Sequence, residues 1–412
     1  MKKCLIFFFI SSPFWLSAQG YQVNAQGQTQ QAMGNTGTGF IQDASAVFFN
    51  PGGMSFLKEN SVSLGGNAAI VKSAVLDSVD HTLTNTKTPV SVPFTLYAVY
   101  GVDSSMGNKQ LQKFKFGMGV YTPFGLGVTY PSGWSGAKIL NSLSIQTIFI
   151  QPTVSYKFND KLGIGVGFVY GFGSITRNQD LPQFSSGLNS TVDLKGNMHG
   201  YGFNTGVYYQ ATKALSIGLT YRSQVTMDVT KGTATFKNIP SNLTDSIVSG
   251  SFKTSMPMPW VISLGGAYKV NDKLTLAADI NYIGFKLFDT LRVDLANNST
   301  ANPDIKSARN FHNTTSYHIG GQYEVMEGLS ARIGLQYILS AVPNGYTTPE
   351  GADANRLVYS AGVGYKISPQ FNINASYTFQ RLLRTDNSLA YKFAATYKTY
   401  ASLIGLSLSY NF

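Results

Sequence analysis

Few side chains in this sequence are placed for covalent chemistry. Its four histidines, His81, His199, His312 and His318, lack any recognisable Ser or carboxylate partner motif that would make a nucleophile and its base. The single cysteine, Cys4, precedes the core of the apolar run near the start of the chain, so neither a disulfide nor a reactive thiol is expected in the exported protein. No Gly-rich loop leads from a strand into a helix to cradle a phosphate, and no His/Cys group has the spacing of metal ligands. The sequence therefore argues against an enzyme and against a cofactor. What remains is recognition. An apolar ligand gains up to about 0.8 kcal/mol per methylene buried, and a carboxylate head is best held by the planar fork of an arginine.

The elements that must position such groups begin with an export signal. Lys2-Lys3 precede an apolar run from Leu5 to Leu16 that ends in the small pair Ser17-Ala18. This is the pattern of a secretory signal peptide over residues 1–18, cleaved after Ala18, and a run of roughly a dozen residues is too short to cross a bilayer as a helix. No linker or shift in composition divides the remaining chain, so one large unit is expected. Charged residues make up 12%, about half the roughly 25% of soluble proteins. The chain also holds 24 Tyr, 27 Phe and 42 Gly. An outer-membrane β-barrel has this composition, because it needs aromatic girdles, small lumen residues and an apolar exterior. Of 31 Lys and Arg, all but Lys2 and Lys3 remain after cleavage, 29 against 20 Asp and Glu. An exported barrel meets anionic lipid and lipopolysaccharide with that basic excess, and no nucleic acid is expected as partner.

Alternation with a period of two builds the wall. Leu162, Ile164, Val166, Phe168 and Tyr170 share one face, and Gly163, Gly165 and Gly167 the other. Leu215, Ile217, Leu219 and Tyr221 likewise oppose Ser216, Gly218, Thr220 and Arg222, and Leu274, Leu276, Ala278, Ile280 and Tyr282 oppose Thr275, Ala277, Asp279 and Asn281. Large apolar residues go to lipid and small or polar ones to the lumen. Tight turns at Asn159-Asp160, Ala211-Thr212, Asn271-Asp272, Glu327-Gly328 and Ser368-Pro369 alternate with longer loops, which a soluble sandwich would not show so regularly. Strand cores starting near Val62, Phe94, Phe114, Ile145, Leu162, Met198, Leu215, Pro257, Leu274, Thr314, Leu329, Arg356, Phe371 and Ala395 make fourteen. The fold expected is all-β: a 14-stranded antiparallel transmembrane β-barrel over residues 61–412, with both ends periplasmic. Its last strand puts Ile404, Leu406, Leu408, Tyr410 and the terminal Phe412 on the lipid face, a terminus suited to the barrel-assembly machinery.

Residues 19–60 are rich in Gln, Gly and Asn and too poor in apolar residues for a domain of their own. A fourteen-stranded barrel leaves a lumen. The apolar Val47-Phe48-Phe49 and the turn Asn50-Pro51-Gly52-Gly53 predict an ordered N-terminal hatch, or plug, folded into it.

Several stretches in order carry a resemblance. Gly34-Asn35-Thr36-Gly37, Asp43-Ala44-Ser45 and Asn50-Pro51-Gly52-Gly53-Met54 come first, then Tyr121-Thr122-Pro123-Phe124-Gly125-Leu126-Gly127 with Trp134-Ser135-Gly136. Gln151-Pro152-Thr153-Val154-Ser155-Tyr156-Lys157, Leu219-Thr220-Tyr221-Arg222-Ser223, and Ser340, Val342, Pro343, Asp353 and Arg356 come after them. Together they resemble the FadL family of bacterial outer-membrane transporters for long-chain fatty acids and aromatic hydrocarbons, with Gly52 in place of the family's usual Ala.

The resemblance implies a passive channel for hydrophobic molecules, long-chain fatty acids foremost. Ligand would be captured by outer loops, held in an apolar lumen pocket and released sideways where the third strand is kinked against the hatch. The gate and hatch residues it points to are Asn50, Pro51 and Gly52, with Gly117, Gly119, Pro123, Phe124 and Gly125 in the strand. Glycine and proline there weaken a ladder, and Asn50 could satisfy the backbone freed by the break. Arg177 and Arg292 fall where the family's carboxylate-contacting basic residues lie, and Met118 and Met198 are candidates for the tail. The loop over 175–197 looks shorter than in well-known members, leaving Asp180, Leu181, Pro182 and Phe184 as a small apolar lip. Fold does not fix function. The alternative is a general diffusion porin or a structural or adhesive barrel.

Overall fold

The computed structural model describes residues 22–102, 110–181, 189–300 and 302–412. The expected signal peptide lies outside these residues. Fourteen antiparallel strands close into a barrel. The first six are Ser61–Asp77, Phe94–Gly101 (with a short segment Leu83–Asn85 before it), Phe114–Tyr121 continued by Gly125–Thr129, Ser142–Lys157, Leu162–Asp180 and Thr191–Gln210. The next four are each interrupted once: Leu215–Arg222 and Val225–Lys237, Gly250–Met258 and Val261–Lys269, Leu274–Ile283 and Thr290–Leu295, Ile305–Ala308 and Thr314–Met326. Leu329–Ile338, Arg356–Lys366, Phe371–Ser388 and Phe393–Asn411 complete the wall. The last strand pairs with the first from Ser61↔Asn411 to Asp77↔Ala395, which leaves no free edge.

The expected alternation is seen in the fifth strand, where Val166 and Phe168 are 55% and 53% exposed on the outer surface. Its glycines face inward for a definite reason: a Cβ at Gly165 would run into the backbone of Pro51, and one at Gly206 of the sixth strand would meet the Asn50 amide. The tight turns are locked by short polar side chains. Asn159 Oδ1 accepts from the amides of Lys161 and Leu162, and Asn271 Oδ1 from those of Lys273 and Leu274. At the other end the strands overshoot. The fifth and sixth run for 19 and 20 residues, about twice what a tilted strand needs to cross the bilayer.

The loop expected over 175–197 is therefore largely strand, with only 181–190 between the fifth and sixth strands. Of the apolar lip, Pro182 and Phe184 lie outside the described residues.

Residues 22–56 run inside the barrel. They form two short helices, Gln28–Ala32 and Ala46–Phe49, and a 3-10 turn, Gly53–Phe56. Wall side chains from around the ring hold them. Gln151 Nε2 donates to Val47 O (2.6 Å), Asn204 Nδ2 to Phe48 O (2.9 Å) and Gln31 Nε2 to Thr378 Oγ1 (3.2 Å). The amides of Gly37 and Thr38 both donate to Asp279 Oδ2 at 2.9 Å, and His318 Nδ1 lies 2.7 Å from Gly34 O. An apolar lumen could not satisfy these backbone groups, so the polar residues on the inner face have a structural task.

Candidate functional site

The third strand breaks at Thr122-Pro123-Phe124, between its two segments. Below the break it pairs on both sides. The ladder to the second strand ends at Thr95↔Tyr121, with Thr122 N donating to Phe94 O (3.2 Å), and backbone contact resumes at Lys87 N to Thr129 O (2.8 Å). Between these points the irregular stretch 86–93 that leads into the second strand carries Pro89 and Pro93, which lack an N–H, and presents Val90 and Val92 outward. The carbonyls of the break are satisfied from within: Gln26 Nε2 donates to Thr122 O (3.1 Å), Val23 N to Pro123 O (2.9 Å) and Thr147 Oγ1 to Phe124 O (2.6 Å). Asn50 does not serve there. Its Nδ2 donates to Thr38 O (2.7 Å) and to Val207 O of the sixth strand (3.1 Å), while its Oδ1 accepts from Gly52 N. The connection to the turn at 50–52 is made lower down, where Gly117 and Gly119 leave room for Val47 and Met54.

Against the inner side of the break lies an apolar cavity bounded by Val23, Phe48, Tyr121, Phe124, Phe149 and Met258, with Arg222 in its wall. Its volume is about 20 Å³, room for about one water molecule, so a long ligand enters only as the aromatic side chains move. The Arg222 guanidinium stacks 3.8 Å from the Phe48 ring centre, and its Nη2 donates to Phe48 O (3.2 Å).

Above the cavity, residues 339–355 turn inward across the mouth. Asp353 Oδ2 closes the base of this loop by accepting from Ser340 Oγ (3.0 Å) and Ala341 N (3.1 Å), and Asp386 of the thirteenth strand accepts from Gly345 N (2.7 Å) and Thr347 N (3.1 Å). At the tip, Glu350 forms ion pairs with Arg177 and with Arg309 (2.6 Å). Burial alone would raise the Glu350 carboxyl, but the two guanidinium groups hold it at about 2, below its ordinary 4.5.

Over residues 11–412 the sequence matches the family described as Outer membrane protein transport protein (OMPP1/FadL/TodX). The chain belongs to this family. Its FadL-type relatives include Outer membrane protein P1 of Haemophilus influenzae, 24% identical with 90% of each chain covered. Another is the Long-chain fatty acid transport protein of Escherichia coli strain CFT073, 22% identical over 98% of this chain and 96% of that one. Among solved structures, a Pseudomonas aeruginosa FadL homologue has the same fold, with a TM-score of 0.81 at 18% identity, covering 95% of this chain and all of that one. The toluene transporter TodX of P. putida superposes with a TM-score of 0.73 at 18% identity, over 93% and 97% of the two chains. This FadL-type barrel is accordingly a protein of the bacterial outer membrane.

Within the FadL-type barrel, the residues expected to bind ligand do not converge. Arg177 is interior and buried, but its three nitrogens are engaged by Gln179, Ile139 O and Glu350. Arg292 is exposed on the outer face beside buried Val293, so it points away from the lumen. Met118 is 43% exposed on the lipid side of the third strand, because Gly117 and Gly119 occupy the lumen side. Met198 is buried in the interior apolar cluster. Glu350 and Arg309 were missed because both sit in irregular segments with no periodicity to place them.

Proposed function

We propose that this protein is a passive channel taking up hydrophobic small molecules, long-chain fatty acids and their uncharged counterparts among them. Ligand passes the loop over the mouth, occupies the apolar cavity beside Phe48 and Phe124, and leaves sideways between the second and third strands. The observation that carries this reading is the wall break itself. A broken ladder in lipid is tolerated where protein satisfies its backbone from inside, and here residues 22–26 do so next to an apolar cavity. Residues 22–60 act as the plug of this channel, with Asn50, Pro51 and Gly52 holding its turn against the wall. A general diffusion porin would need a free lumen, whereas this one is filled from both ends. Lipopolysaccharide would meet the outward arginines such as Arg292, and the terminal Phe412, 57% exposed, would be read by the assembly machinery.

The test is a cross-link over the gap. A Cβ at Gly127 would lie 3.9 Å from Thr88 Cγ2, so Thr88→Cys with Gly127→Cys can form a disulfide. Oxidation should cut palmitate uptake at least tenfold, with reduction restoring it. Unchanged uptake in the oxidised protein would send the exit elsewhere.

A further inference from the structure

The cation best placed to receive a charged ligand is neither of the two arginines expected from the sequence. We propose that Arg222 is the head-group receptor of the lumen pocket and takes a long-chain monocarboxylate, with the tail running past Phe124 toward the wall break. This assignment rests on the channel reading above and deepens it.

Three observations lead there. Arg222 sits in the wall of the one described cavity that touches both the third-strand break and the N-terminal segment. Among the described residues, no carboxylate lies within ion-pair distance of it, whereas Arg177 and Arg309 already share Glu350. Its Nε is buried without a hydrogen-bond partner. Among the described residues it stacks on Phe48 and donates one bond to the Phe48 carbonyl, contacts that carry no full counter-charge. The Tyr121 hydroxyl is not available as a further partner, since it donates to Gln151 Oε1 at 2.6 Å. An incoming carboxylate would supply the missing counter-charge and accept from Nε, and a charge-assisted pair of this kind is about twice as strong as a neutral one.

At the mouth the situation is reversed. A ligand carboxylate approaching Arg177 must displace Glu350, which is tethered to the same chain and so competes at an effective concentration on the order of millimolar. Exchange of one carboxylate for another yields no net ion-pair energy there, and the head group gains affinity only further in, at Arg222.

The experiment compares palmitate with hexadecanol, an uncharged ligand of equal chain length, for binding to the refolded full-length barrel. In Arg222→Gln, palmitate affinity should fall at least tenfold and hexadecanol affinity should stay within threefold, while Arg222→Lys should restore palmitate binding to within threefold. Arg222→Met, which replaces a half-buried cation with an apolar chain, should give the same selective loss and serves if the Gln variant does not refold. Equal weakening of both ligands, or palmitate binding unmoved, would overturn the assignment and leave Arg222 a packing residue. Wild-type protein that binds hexadecanol but not palmitate would overturn it while keeping the channel. Binding of neither ligand would remove the channel reading as well.

Discussion

The lumen holds arginine in two opposite settings. At the mouth, Arg177 and Arg309 enclose Glu350, and Ile139 O and Thr348 Oγ1 accept from the same two guanidinium groups. Deeper in, Arg222 has a phenyl ring, a backbone carbonyl and an apolar cavity. The first arrangement holds a loop in place and the second leaves binding capacity unused. Buried charge alone therefore does not mark a ligand site; what matters is whether the protein has already supplied the counter-charge.

The sharpest way to break this comparison is to remove the counter-charge at the mouth. Glu350→Gln leaves two buried guanidinium groups without a carboxylate, and a loss of about 3–5 kcal/mol is expected in urea unfolding of the refolded barrel. Arg222→Met should cost far less, because no buried carboxylate is orphaned. Equal losses would mean that Arg222 is as structural as the Arg177 and Arg309 pair.

Acid gives a smaller effect with a definite sign. The Glu350 carboxyl is held at about 2 in the folded protein against an ordinary 4.5, so its contribution is complete above pH 4.5 and lost as pH falls toward 2. Pepsin cleavage within residues 339–355 should rise between pH 4.5 and 2; a flat profile there would show that the clasp does not hold the loop.

Smallest is Arg292→Ala. This side chain points outward, so palmitate affinity should be unchanged and stability should shift by no more than about 0.5 kcal/mol. A selective loss of palmitate binding in this variant would move the head-group site to the ninth strand and undo the contrast.

Much of the wall was legible in the sequence, and some of the site was too. The alternation of Leu219 and Tyr221 with Thr220 and Arg222 is enough to place Arg222 on the lumen face. The same rule excludes Met118 from the lumen, since Gly117 and Gly119 stand beside it on the inner side. Arg177 was expected from the resemblance to contact a carboxylate, but nothing local announced Glu350, which lies 173 positions away. Asn50 was read as an ordered turn residue, yet its partner proved to be the sixth strand rather than the third. Two of the residues that do satisfy the third-strand break, Val23 and Gln26, belong to a stretch with no pattern of its own.

What the sequence by itself determined was the wall: fourteen strands, their facing and their tight turns, because a period of two and the short side chains of Asn, Ser and Thr act within a few residues. Which groups meet inside that wall was decided only by the tertiary structure. Closing the barrel brings Gln26 to Thr122, Asn50 to Val207 and Glu350 to Arg177, and those partners are selected by curvature and by the path of two irregular segments through the lumen, neither of which has a periodicity to betray it.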